Sequence, residues 1–221
     1  MATPTPNPQP RWHRRPEDRP VEILVAAIEL FGEVGFARTK LEDVAKRAGV
    51  SKGTLYLYFD SKETLFREMV RSRVTAHLEL GETLLAQTGR TARELLEQFI
   101  RRWWEIARQP EMARITRLLH AELGNFPELA RFFVDEVISR TRRQITALVA
   151  LGVERGEFRA VPNAFPSAAI ASLVVHGALR QRFFAPHDPE ALTDDQVIDG
   201  IVDLVFHGMA LPGQASRTDP C

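Results

Sequence analysis

Between Ile23 and Phe59 the apolar positions recur three and four apart, the period of helices that bury one face. Ile23, Leu24, Ala27, Leu30 and Phe31 form one stripe and predict a helix over Arg19–Val34. Pro20 fits its first turn, where a missing N–H costs nothing, and Gly35 can end it in a left-handed conformation with Phe36 folding back over the cap. Leu41, Val44, Ala45 and Ala48 form a second, shorter stripe. Thr39 and Glu42 have capping-box spacing, so this helix is expected to start at Thr39. Gly49 ends it, Val50 fills the corner and Ser51 caps a third helix. Leu55 and Phe59 face inward from that helix, which leaves Lys52, Thr54, Tyr56 and Tyr58 outward. Small residues at the turn let two short helices cross steeply, as in a helix-turn-helix. An ordinary helical hairpin with a solvated polar face has the same spacing.

The pattern stays helical to the end of the chain. Asp60 and Ser61 are capping residues for a long helix reaching about Gln87, with Lys62 in its first turn, and Leu78 to Leu85 must enter a second core. Leu95, Leu96, Phe99, Ile100, Trp103, Trp104 and Ile106 mark a helix ending near Pro110. Others are expected from Met112 to about Leu123, from Pro127 to about Arg155 with Gly156 as its stop, from Pro166 to about Phe184, and from Asp194 to about Met209. No stretch alternates with period two long enough to make a strand. The reading is all-α, about nine helices in two parts. Residues 1–17 form a disordered leader, 18–66 a helix-turn-helix domain, 67–211 a second helical domain, and 212–221 a flexible tail.

The run AGVSKGTLYLYFDSKETL resembles the DNA-binding signature of the TetR/AcrR family of bacterial transcriptional regulators. The similarity extends upstream through ILVAAIELFGEVGF and covers about Arg19 to Val70. It implies that Ser51, Lys52, Thr54, Tyr56, Tyr58 and Lys62 contact double-stranded operator DNA, with Lys62 on the backbone at a helix N-terminus. Thr39 would cap its helix and reach a phosphate. The stretch RLLHAELGNFPELARFF resembles the C-terminal domains of AcrR-like members, which implies a ligand pocket between helices and a homodimer.

Charge adds a local detail. The chain carries 29 Lys+Arg against 29 Asp+Glu, so bulk charge does not announce nucleic acid. Residues 1–75, however, hold 13 basic against 10 acidic residues, and all four lysines, Lys40, Lys46, Lys52 and Lys62, fall in or beside the helix-turn-helix. Arg11, Arg14 and Arg15 in the leader either form a flexible arm onto DNA or remain solvated.

The sole cysteine, Cys221, excludes an intrachain disulfide and a cysteine metal cluster. The six histidines, His13, His77, His120, His176, His187 and His207, show no paired ligand spacing. Nucleophile-elbow, phosphate-loop and dinucleotide fingerprints are absent, so no catalytic residue, cofactor or metal is expected. With no signal-peptide pattern and no membrane-length apolar run, a cytoplasmic protein with no membrane partner is expected.

Aromatic residues in the second half are either core or the wall of an apolar pocket. Phe99, Trp103, Ile106, Leu118 and Phe133 are the candidate walls, with His120 and Glu122 as polar candidates, for a small hydrophobic effector. Small residues from Ala168 to Ala178 and from Val197 to Gly208 mark either a dimer interface or close packing within one chain. The function expected is that of a ligand-responsive repressor released from a pseudo-palindromic operator. An activator or structural DNA-binding protein with the same module, or a helical enzyme, are the alternatives.

Overall fold

The structure, a computed structural model, describes residues 19–85, 87, 89–161 and 165–210, and the side chains of all of these except 74–78, 80 and 85. The expected leader with its arginines, His13, and the tail with Cys221 lie outside the described residues, as does the side chain of His77.

Ten α-helices follow in order: α1 Arg19–Val34, α2 Leu41–Ala48, α3 Lys52–Tyr58, α4 Lys62–Leu85, α5 Ala92–Ala107, α6 Pro110–Glu122, α7 Pro127–Phe133, α8 Ser139–Glu154, α9 Phe165–Phe183 and α10 Asp194–Met209. No strand occurs among the described residues. Short 3₁₀ turns, Leu123–Asn125 and Ala185–His187, link α6 to α7 and α9 to α10.

One expected helix is counted as two. From Pro127 to Glu154 the chain stays helical, but Val134–Ile138 is a π-helical turn between α7 and α8. A π-turn amounts to one extra residue, which rotates everything after it by about 100° relative to a straight helix. That rotation places Thr141, Gln144, Ile145 and Leu148 in line with Leu129 and Phe132, all six buried. One long element can therefore serve two cores. Nothing in the composition of VDEVI marks the turn.

The first core joins α1, α2, α3 and the start of α4, through Phe31, Phe36, Val44, Leu55, Phe59 and Phe66. The rings of Phe31, Phe36 and Phe66 pack tilted or edge-on at 5.3–6.4 Å between centroids, and Phe126, beyond α6, closes edge-on against Phe36 at 4.9 Å. The same core takes Ile115, Leu118 and Leu119 from α6, and Leu129 and Phe132 from α7. A boundary at 66/67 thus divides the chain but not the packing. Small cores bury a smaller share of their surface, and α6 and α7 enlarge this one.

The second core holds Leu84 of α4, Leu95, Leu96, Phe99, Ile100, Trp103 and Trp104 of α5, and apolar residues of α8, α9 and α10. Capping boxes start α5, where Thr91 and Glu94 bond reciprocally, and α10, where Thr193 and Gln196 do. Phe158 packs across Gly152, where a Cβ would collide with its ring, and so closes the corner after α8.

Candidate nucleic-acid interface

Local chemistry positions α3. Gly49 takes φ 67°, and its N–H returns to the end of α2. Ser51 caps α3, its Oγ accepting from the Thr54 N–H at 3.0 Å. Leu55 is fully buried beneath the helix and Phe59 beyond its end. Lys52, Tyr56 and Tyr58 are exposed, as the residue pattern predicts, whereas Thr54, expected outward with them, is half-buried.

Lys52 is not idle in the free protein. Its Nζ lies 2.7 Å from Glu42 Oε1 on α2, with the Tyr56 ring 5.7 Å away. The hydrogen bond from Lys52 holds the Glu42 carboxyl below its ordinary range, and Glu42 in turn raises the Lys52 ammonium. To reach DNA, Lys52 must exchange this carboxylate for a phosphate or a base edge.

One sequence assignment changes, and a second residue has partners that the sequence does not announce. Thr39 and Glu42 form no capping box: Lys40 is the N-cap of α2, without a side-chain cap bond. Thr39 is 3% exposed, and its hydroxyl donates to the Gly35 carbonyl at 2.7 Å, closing the end of α1 instead. The buried hydroxyl takes the nearest unsatisfied carbonyl, while Glu42 is drawn to Lys52. Lys62 also turns inward: its Nζ donates to the carbonyls of Phe36 at 2.7 Å and Ala37 at 3.0 Å, and sits 4.5 Å from the Phe36 ring centre. One of its three N–H bonds remains to point elsewhere.

The end of α1 gathers further contacts from the second half of the chain. Arg117 of α6 donates to the Gly32 carbonyl and lies 5.9 Å from the Phe183 ring of α9. Gly35 has φ 86°, and a Cβ there would lie 2.5 Å from Glu122 Oε1. Arg117 of α6 thus meets the C-terminal end of α1, a favoured site for positive charge, while Lys62 of α4 holds the turn that follows it.

Sequence reasoning missed Leu57. It is 82% exposed on α3, between two tyrosines. A helical projection of the seven residues places it opposite Leu55, a signal that was available.

The seven residues expected to line one pocket are not brought together. Phe99 and Trp103 share the second core, with ring centroids 5.8 Å apart, and Ile106 lies half-buried farther along α5. Leu118 and Phe133 pack on the first core, because α6 and α7 turn toward the DNA-binding helices. Glu122 faces Gly35, and His120 is exposed, its ring 5.4 Å from that of His176. The buried polar atoms of the second core lie elsewhere. Trp104 Nε1 is buried with no hydrogen-bond partner among the described residues, and Gln144 sits so close to Gly81 that a Cβ there would collide with it.

The small-residue faces also divide. Gly177 faces its own core, where a Cβ would lie 3.1 Å from Trp104 Cζ3, and Ala178, Ile201 and Val205 are buried. Gly200, Leu204 and Gly208, four residues apart on α10, face outward, with open space at both glycines. Phe165 and Phe184 are exposed near the two ends of α9. No metal-binding cluster of three ligands and no helix long and apolar enough to cross a membrane occurs among the described residues.

Comparison with known proteins places this geometry. Residues 23–69 match the family described as bacterial regulatory proteins, tetR family, and residues 94–208 match the AefR-like transcriptional repressor C-terminal domain. The HTH-type transcriptional regulator TtgR of Pseudomonas putida is 26% identical over 209 residues, 91% of this chain and 98% of that protein. The HTH-type transcriptional repressor KstR2 of Rhodococcus jostii is 26% identical over 195 residues, 88% and 92% of the two chains. Among solved structures, the transcriptional regulator FadR from Bacillus subtilis, in complex with stearoyl-CoA, superposes with a TM-score of 0.70 at 21% identity, over 86% of this chain and 98% of that one.

Proposed function

The chain belongs to the TetR family of bacterial regulatory proteins, and from that premise we propose a homodimeric repressor that a small hydrophobic molecule releases from a pseudo-palindromic operator. The observation that carries the reading is α4. Its first turns bury Leu65, Phe66, Met69 and Val70 in the first core, which also holds Leu55 of the recognition helix, and its far end places Leu84 in the second core. A ligand that binds one setting of the second core better than another tilts this element and changes the spacing of two recognition helices. Only such differential affinity shifts the population, with a coupling of about 1–3 kcal/mol.

The effector class follows from the buried residues of the second core. Among the described residues, the buried polar side chains around the second core are Thr141, Gln144 and Ser167, none of them charged, so an anionic sugar phosphate would lack paired cations. An apolar compound with a single acceptor fits better, because it would satisfy Trp104 Nε1. An acyl chain with a carbonyl is of this kind, and the Bacillus subtilis neighbour was solved with stearoyl-CoA. The dimer reading rests on the outward stripe Gly200–Leu204–Gly208 and on the exposed Phe165 and Phe184.

Titration of an operator complex with acyl compounds and with aromatic compounds tests the reading. Release by at least one of them is expected, at lower concentration for the wild type than for Trp104→Phe, which keeps a flat ring but loses the N–H. Free protein should scatter as about 50 kDa, twice the 25.0 kDa of one chain. A monomer at micromolar concentration, or a Trp104→Phe release curve that coincides with the wild type, counts against the corresponding half of the proposal.

A further inference from the structure

We infer that Leu57 reads the 5-methyl group of a thymine in the operator, a specificity contact that rests on the DNA-binding reading above. On an ideal helix Leu57 lies about 200° around from Leu55, so it points away from the core that Leu55 enters. It is 82% exposed, the most exposed large apolar side chain among the described residues. One turn earlier stands Gly53, where a Cβ would meet only Ser51 Oγ, at 3.8 Å. Helical side chains lean over the turn that precedes them, so Leu57 lies across backbone that carries no side chain. The outermost surface of the recognition helix is therefore a bare glycine beneath an aliphatic branch. Lys52 and Tyr56 stand on one flank, and Thr54 and Tyr58 on the other.

The occupant follows from the chemistry of the groove. In the major groove guanine, adenine and cytosine present donors and acceptors, and thymine alone adds a methyl group. A side chain with no polar atom gains nothing from the first three and buries apolar surface only against the fourth. The leucine is continuous with the polar residues of the same helix face, which supply hydrogen bonds to phosphates and base edges. In a symmetric dimer the contact would occur once in each half-site.

The test uses the full-length protein and a duplex that it enriches from a random-sequence pool. Each thymine of that duplex is replaced in turn by uracil, which pairs identically but lacks the methyl group, and affinity is measured for wild type and Leu57→Ala. At one thymine per half-site the wild type should lose about fourfold, the equivalent of one buried methyl group. Leu57→Ala, which loses the contact in both half-sites, should bind the thymine duplex about as weakly as the wild type binds a duplex with both of those thymines replaced, and should not distinguish the two. Circular dichroism and the thermal midpoint of the variant should match the wild type, since the side chain is exposed. A pool with no enriched sequence would overturn the DNA-binding reading itself. An enriched duplex whose uracil losses are the same in both proteins overturns only the role of Leu57. So does a Leu57→Ala protein whose mass without DNA differs from wild type, which would make the leucine a protein contact.

Discussion

Lys62 illustrates how far a single residue is legible. Its place in the first turn of a helix after Ser61 follows from sequence, and so does its charge. Its two carbonyl partners do not, because Phe36 and Ala37 are 26 and 25 residues away and only the fold brings them near. The lysine therefore ties the turn after α1 to the start of α4. Lys62→Ala is expected to lower stability by about 1 kcal/mol, or about 3 °C in Tm, since a half-exposed ammonium loses two hydrogen bonds. Its remaining N–H also predicts weaker binding to every DNA sequence, with the salt slope shallower by about one unit. Thermal melts and salt titrations separate the two roles, and an unchanged Tm would show that the tie carries no stability. Gly49, Ser51 and Leu55 were readable because a turn, a cap and a helix face are decided within four residues. Thr39 was misread for the opposite reason. Its competing acceptor, the Gly35 carbonyl, lies on the preceding element rather than its own.

Among the elements, the boundaries of α1 and α10 coincide with the sequence reading, because Pro20 and Gly35 punctuate the first and a Thr193–Gln196 capping box starts the second. The π-turn had no such mark. Its presence follows from the register of buried residues on either side, which a straight helix cannot align. Val134 and Ile138 are exposed within it, so substituting either should cost little. Deleting Val134 is a different operation. It would turn Val134–Ile138 into ordinary helix and rotate α8 by about 100°, carrying Gln144, Ile145 and Leu148 out of the second core. Val134→Ala should therefore melt close to wild type, whereas the deletion should lose cooperative unfolding or fail to fold. Near-ultraviolet circular dichroism and thermal melts decide it; a deletion variant with the wild-type melt would show that the extra residue has no packing role.

At the scale of the molecule, the all-α fold and the helix-turn-helix were readable, whereas the division of the seven expected pocket residues between two cores was not. Phe99 and Trp103 pack together as expected, but α6 carries Leu118 and Glu122 to the other core, a matter of chain direction rather than of any local pattern. Arg117 spans the two halves, with the Gly32 carbonyl on one side and the Phe183 ring on the other. Arg117→Ala should leave operator affinity without effector within about threefold. The effector concentration needed for release should rise about fivefold or more, the lower end of typical coupling energies. An equal loss in both measurements would make Arg117 part of the DNA-binding scaffold and not a link.

The shared first core limits how this protein can be rebuilt. A chimeric sensor that grafts residues 18–66 onto a foreign effector module would leave Phe31, Phe36 and Phe66 without Ile115, Leu118, Leu119 and Phe132. Those rings would then face water or an unmatched surface. A transplant that respects the packing must carry α6 and α7 along with the recognition helix. The exchangeable unit is thus a discontinuous set of helices, and no single cut in the gene delivers it.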